Sequence, residues 1–398
     1  MSNEKKSTKQ VIVKSKTWDS TFQMLSWWKS ETIKAAKVMV VGAGALGNEV
    51  LKNLTLLNVG HILIVDFDTI EYSNLSRSVL FREKDCEEKA LKAAIAAERI
   101  KEINSNVSVQ YINGDVTLDV GLGVFRRMDV IIGCLDNRLA RLFLNRFCYR
   151  VGKTWVDGAI ENLIGQVNVY KPFETCYECS LKEADWKTIK VKMGCADVAK
   201  RNFSQGRIPT TPISSSIVAA IQTQEALKVV NENHKKLMLE SFYYEGMNNL
   251  ILQLKQEELK QDCFSHFRYE NIIESPLSNS NSIMDLLDWA EDYFKDNSLY
   301  VKLDFDIALK VVASKSGESY KVVLPKLKLT EEKMKEFQSI PNETIIITEE
   351  ANELDRNFPY LKKSMEEIGI PFLQILTIYS QGESYFVELT EDKHKLSF

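Results

Sequence analysis

Between residues 37 and 151, short unbroken apolar runs alternate with longer segments of helical period. "KVMVV" (37–41), "HILIV" (61–65), "VSVQYI" (107–112) and "DVIIGCL" (129–135) have strand length, and their continuous apolarity predicts burial on both faces. Residues 45–58, the run "EEKALKAAIAAERIKEI" (87–103) and residues 137–151 carry apolar positions at helical spacing. Strand–helix alternation of this kind predicts an α/β fold with a doubly wound, mostly parallel sheet. An amphipathic stretch, "TFQMLSWWKSETIKAA" (21–36), precedes it and is expected to be helical.

After residue 154 the pattern changes. "TWVDGAI" and "GQVNVYKP" read as strands and are followed by a polar crossover, 174–208. "PTTPISSSIVAAIQTQEALKVV" reads as a helix capped by Thr211, with Pro212 at its first position. A hairpin is expected near 240–255. Ser, Asn and Pro then cluster in "ESPLSNSNS" (274–282), the composition of a linker. The expected organisation is a polar, disordered lead (1–16), a main domain (17–272) and a smaller α+β domain (283–398). In that last part "MDLLDWAEDYF" and "KMKEFQSI" read as core-facing helices among strands such as "FLQILTIY".

Composition narrows the class. The 398 residues are 44% hydrophobic and 27% charged, ordinary for a globular protein, and are long enough for two cores. A net charge of −4 gives no basic surface for nucleic acid, and no apolar run reaches membrane-spanning length. "MSNEKKSTKQ" has no apolar stretch behind its lysines, so it does not read as a secretory signal. Seven scattered cysteines argue against a disulfide framework and for a reducing cytosol.

Gly42, Gly44 and Gly47 form G-x-G-x-x-G between a strand and a helix, where a tight turn and a helix N-terminus suit an anionic phosphate. Asp66 ends the next strand, placed for ribose hydroxyls. To this point the unit is Rossmann-like and NAD is the default ligand. "DFDTIEYSNLSR" then adds Asp68, Asn74 and Arg77, and Lys89 follows; such donors suit a triphosphate better than a nicotinamide ring. Asp136 lies just past another strand end, where it can hold Mg²⁺ at phosphates or cap the helix beginning at Asn137.

G-x-G-x-x-G-x-E (Gly42 to Glu49), D-x-D (Asp66, Asp68), S-N-L-x-R (Ser73 to Arg77), the Lys89–Ala90 pair and C-x-D-N-R (Cys134 to Arg138) occur in one order. That combination resembles the ThiF/MoeB/ubiquitin-activating-enzyme superfamily over roughly residues 20–268. The resemblance implies ATP rather than NAD, and adenylation of the C-terminal glycine of a ubiquitin-like protein with release of pyrophosphate. It implies a nucleotide loop of Gly42, Gly44, Ala45, Leu46 and Gly47, with Asp66 on the ribose. Asn74, Arg77 and Lys89 would contact phosphates, Asp136 would bind Mg²⁺, and a homodimer is expected. Two departures stand out. Ser78 replaces the family's usual glutamine, and no arginine precedes Arg77, so the arginine that many members supply from the partner's N-terminal helix has only lysines such as Lys29 and Lys34 to replace it.

"CYEC" (Cys176, Cys179) and "CFSH" (Cys263, His266) have the paired spacing of a closed, structural, tetrahedral zinc site. Cys195 sits among Lys187, Lys190, Lys192, Lys200 and Arg201, charges that favour a thiolate. In ubiquitin-activating enzymes the thioester-forming cysteine falls in this crossover, although sulfur-carrier adenylyltransferases can also have one there. The expected function is therefore ATP-dependent activation of a ubiquitin-like protein, thioester formation on Cys195, and transfer to a conjugating enzyme. Three alternatives stay open: a sulfur-carrier adenylyltransferase without thioester transfer, a non-catalytic partner subunit, and an NAD-dependent oxidoreductase.

Overall fold

The structure is a computed structural model that describes residues 17–193 and 209–398. The lead expected over 1–16, and Cys195, lie outside the described residues. Eight strands form the first sheet: β1 (Lys37–Val41), β2 (His61–Val65), β3 (Ser108–Ile112), β4 (Val130–Gly133), β5 (Trp155–Glu161), β6 (Ile164–Tyr170), β7 (Ser241–Glu245) and β8 (Leu250–Leu254). Their order is β3-β2-β1-β4-β5-β6-β7-β8. β1 to β5 are parallel, and β6 to β8 extend the sheet antiparallel.

The apolar strands alternate between two cores because strand side chains have period two. Val38, Val40, Ile62 and Ile64 face one side, under helices Ala45–Leu56, Lys92–Ile103 and Pro212–Val230. Met39, Val41, Leu63 and Val65 face the other, packed with helices Leu122–Arg126 and Arg138–Arg150. The sheet is thus covered on both faces, as a doubly wound architecture requires. Thr211 accepts the Ser214 N–H at 3.2 Å and Pro212 opens its helix, as the sequence predicts.

Two segments differ from expectation. Residues 21–36 form a short turn (Phe22–Met24) and a separate helix (Ser30–Ala35), because Trp28 and Ile33 both turn into the core and Phe22 packs on Trp28 at 4.8 Å. The crossover is not all loop: helices Tyr177–Ser180 and Glu183–Met193 occupy its first half.

A second sheet holds β9 (Ile273–Ser275), β10 (Tyr300–Ala313), β11 (Ser319–Pro325), β12 (Ile345–Leu354), β13 (Ile375–Ser380) and β14 (Glu383–Leu389). Its order is β11-β10-β13-β14-β9, with β12 on β10. The segment 274–282 is no free linker. Its start is the end of β9, paired parallel with β14, and its last residue, Ser282, caps helix Ile283–Phe294 in a box with Asp285. Serine and asparagine serve caps and turns as readily as linkers, which is why composition misreads them.

The two sheets share apolar packing. Leu373, Ile375 and Phe386 join the core on the Met39 side of the first sheet, and Tyr269 stacks on Phe386 with centroids 4.0 Å apart. Gly123 N–H donates to Leu373 O at 2.8 Å, an approach a side chain at 123 would block. Glu388 on β14, fully buried, is paired with both Arg126 and Arg127. Among the described residues no helix is long and apolar enough to cross a membrane.

Candidate functional site

β1 leads on to β2 and β3 on one side, while β4 and β5 lie on the other, so the order of the parallel strands reverses between β1 and β4. Loops leaving the C-terminal ends of these two strands diverge and open a crevice. The loop after β1 is Gly42–Gly44. Gly42 has φ +96°, and a Cβ there would lie 2.4 Å from Cys134 O at the end of β4, so only glycine fits. Gly44, by contrast, faces open space within 4 Å. The backbone N–H groups of Gly44, Ala45, Leu46 and Gly47 have no partner among the described residues. Four free donors at a helix start make an anion cradle.

Asp66, at the end of β2, accepts the Ala43 N–H at 2.7 Å and the Asp68 N–H at 2.8 Å. Burial pushes its carboxyl above the ordinary aspartate range, opposed chiefly by the charge of Lys92. Lys92 donates to Asp68 at 2.7 Å and is itself nearly buried. Lys92 thus bonds Asp68 and stands beside Asp66, while Lys89 is exposed on a turn with φ +48°. The helix register carries the missed signal. Lys92, Ala96 and Ile100 are spaced by four and share the buried stripe, whereas Lys89 precedes the helix.

Asn74 and Arg77 come from the short helix Tyr72–Leu75 and the turn behind it. Asn74 Oδ1 accepts the Glu71 N–H at 3.0 Å in a capping box, and the Arg77 guanidinium folds back on Ser73 O at 2.7 Å. Asp136 is exposed past the end of β4. The cap of helix Arg138–Arg150 is Asn137, whose Oδ1 accepts the Ala140 N–H at 2.8 Å, so the helix does not use Asp136 for that purpose. Beneath this turn lies a buried ion pair that the sequence reading missed. Arg141 bonds Asp157 at 3.0 Å and reaches Leu135 O and Gly158 O, tying the ends of β4 and β5 together. Lys29 and Lys34 are occupied within the chain, by Asn231 O at 3.3 Å and by Glu31 at 3.2 Å.

Cys176, Cys179, Cys263 and His266 converge, with ligand atoms all within 4.8 Å of one another. Cys176 Sγ lies 3.7 Å from Cys179 Sγ and 3.6 Å from Cys263 Sγ, and Cys179 Sγ lies 3.4 Å from His266 Nε2. Sulfurs about 2.3 Å from a tetrahedral zinc stand roughly 3.7 Å apart, so the donor set fits zinc in type and size. The hydrogen bond between Cys176 and Cys263 pushes the Cys176 thiol below its ordinary range and the Cys263 thiol above it. The residues between the ligands lock the two pairs together. Glu178 accepts a bidentate bond from Arg146 at 2.9 and 3.0 Å and one from Ser265 at 2.5 Å. Asn145 donates to Ser265 at 2.8 Å and accepts the Tyr177 N–H at 3.0 Å. The cluster thus hangs on helix Arg138–Arg150, whose first turn follows Asp136.

Known proteins resemble parts of the chain. SUMO-activating enzyme subunit 2 of Dictyostelium discoideum is 36% identical over 167 residues, 42% of this chain and 25% of that protein. SUMO-activating enzyme subunit uba-2 of Caenorhabditis elegans is 30% identical over 231 residues, 54% of this chain and 39% of that one. The adenylyltransferase and sulfurtransferase MOCS3 of Culex quinquefasciatus is 28% identical over 265 residues, 64% of this chain and 57% of that one. The chain thus spans between a quarter and a little over half of the length of these relatives. The model of the ThiF family matches residues 21–264, which hold the glycine loop, the aspartates, Lys92, Asp136 and three of the four metal-type ligands, and the chain belongs to the ThiF family.

Proposed function

We propose that this chain adenylates the C-terminal glycine of a ubiquitin-like protein at the expense of ATP. The observation that carries the reading is the convergence, at the point where strand order reverses, of four free backbone donors with the Asp66–Lys92–Asp68 cluster. A triphosphate is the ligand whose charge such donors match. The partner's terminal carboxylate oxygen attacks the α-phosphorus. A new O–P bond forms, the bond to the bridging oxygen breaks, and pyrophosphate leaves with its electron pair. Asp66 would hold the ribose, while Asn74, Arg77 and Lys89 would bear on the phosphates and Lys92 would hold Asp66 and Asp68 in place. Asp136 would hold Mg²⁺, which supplies charge neutralisation there. The chain's own work is positioning and electrostatic relief. Zinc at the Cys176–His266 cluster would be structural, all four positions being protein ligands.

The finer reading is that the Cys195 thiolate then attacks the acyl carbonyl and expels AMP, leaving a thioester for a conjugating enzyme, with a homodimer as the working assembly. A second reading, release of the adenylate to a sulfur donor, is favoured by the likeness to a protein named adenylyltransferase and sulfurtransferase. The test is pyrophosphate–ATP exchange driven by candidate ubiquitin-like proteins, then non-reducing gels. Activation with thioester transfer expects exchange by the wild type and by Cys195→Ala, a thiol-sensitive conjugate only in the former, and loss of both in Asp136→Ala. Exchange without any thioester supports sulfur transfer, and no exchange with any partner overturns adenylation.

A further inference from the structure

Asn48, in the first turns of helix Ala45–Leu56, is wholly buried and uses its entire amide. Its Nδ2 donates to Ala43 O at 2.7 Å and to Gly44 O at 3.2 Å, and its Oδ1 accepts the Leu80 N–H at 2.9 Å. One side chain therefore joins the glycine loop to the segment that follows Arg77. The peptides on both sides of Ala43 are held, the Gly42–Ala43 peptide at its N–H by Asp66 and the Ala43–Gly44 peptide at its carbonyl by Asn48. The Ala43–Gly44 peptide carries the Gly44 N–H, so the bond from Asn48 sets the direction of the first of the four free donors. We infer that Asn48 is a positioning residue that couples the phosphate cradle to Arg77, so that the triphosphate meets both in one fixed arrangement. The inference rests on the ATP reading above, and it assigns a role to a residue outside the motif positions.

A buried polar residue in a helix can be simply structural, and its loss would then weaken every ligand alike. A positioning role predicts selectivity, because adenosine needs the Asp66 side of the crevice and not the donors. Equilibrium binding of ATP with Mg²⁺, and separately of adenosine, is measured on the full chain carrying Asn48→Ala. The expected result is an ATP Kd raised about 10- to 100-fold, with adenosine changed by less than about twofold. Arg77→Ala should also cost less ATP affinity in the Asn48→Ala background than in the wild type. Asn48→Ser, which can still donate to the carbonyl four residues back, covers the case of an alanine variant that does not fold. It should retain part of the ATP affinity while losing the coupling to Arg77. Equal weakening of both ligands, unchanged ATP binding, or strict additivity with Arg77→Ala would each overturn the inference while the ATP reading stands. A wild type that binds no ATP overturns both, and that control is read before any variant.

Discussion

Lys92 stands between two carboxylates of unequal burial, and this inequality has consequences that can be measured. Asp66 is the less exposed one, its carboxyl pushed up by loss of water and held back mainly by Lys92. Lys89→Ala, which removes an exposed phosphate contact, should cut pyrophosphate exchange by about 100-fold at unchanged stability, whereas Lys92→Ala, which strips Asp68 of its bonded cation and Asp66 of a neighbouring one, should lower exchange and stability together. Exchange at the wild-type rate in Lys89→Ala would remove that residue from the site. The sign of the pH effect follows from the raised carboxyl. Above its folded pKa the native state carries a buried charge that costs stability, and as pH falls through that pKa the cost disappears. Urea titrations of wild type and Asp66→Asn should therefore converge or cross on acidification, the wild type gaining relative to the variant. A constant difference across pH would mean that Asp66 is solvated. At this scale the glycines and Asp66 were legible because backbone space and strand ends dictate them. Asn48 and Arg141 were not, since Asn48 reaches Leu80 and Arg141 reaches Asp157, partners 32 and 16 positions away, while Lys92 was marked only by its helix register.

The helix Arg138–Arg150 links two sites that the sequence presents as unrelated motifs. Its N-terminal turn follows Asp136, and its Asn145 and Arg146 bind Ser265 and Glu178 between the metal-type ligands. The paired cysteine spacing foretold that a cluster would form, but the Glu178 and Ser265 lock was invisible, because no local pattern marks a residue whose partner lies 87 positions away. Protein purified without added metal should contain about one zinc per chain, and Cys176→Ser with Cys263→Ser should lose metal and stability together. Metal-free wild type of unchanged stability would remove the site. Arg146→Ala leaves a buried Glu178 with one partner fewer, and should cost roughly 3 kcal/mol in denaturant titration. A cost near zero would show that the lock is solvated.

Across the whole molecule the largest departure from expectation is the attachment of the second sheet. The Ser/Asn-rich segment suggested a linker before a separate smaller domain, yet β9 is built into the sheet that follows it in sequence, and Glu388 is buried against Arg126 and Arg127. Both arginines lie at the end of the helix that runs into β4, the strand leading to Asp136. Glu388→Ala should therefore destabilise by roughly 3–5 kcal/mol and weaken ATP binding, in a single thermal transition. A tethered domain would show two transitions and unchanged nucleotide affinity. No residue near Glu388 advertises this in sequence, because charge at the base of a strand reads as surface until the opposing arginines are in place.

The order of synthesis gives that packing a further meaning. A ribosome releases the strands that lead to Gly42, Asp66 and Asp136 long before Leu373, Ile375 and Phe386, so the Met39 side of the first sheet, covered in part by helices Leu122–Arg126 and Arg138–Arg150, waits for the rest of its cover for more than half of the chain's elongation time. Contacts of such sequence separation form slowly, and an uncovered apolar face is the part of a nascent chain that sticks to others. Completion of the nucleotide crevice thus becomes a late event in the life of each molecule, timed by its last strands rather than by the glycine loop that names it.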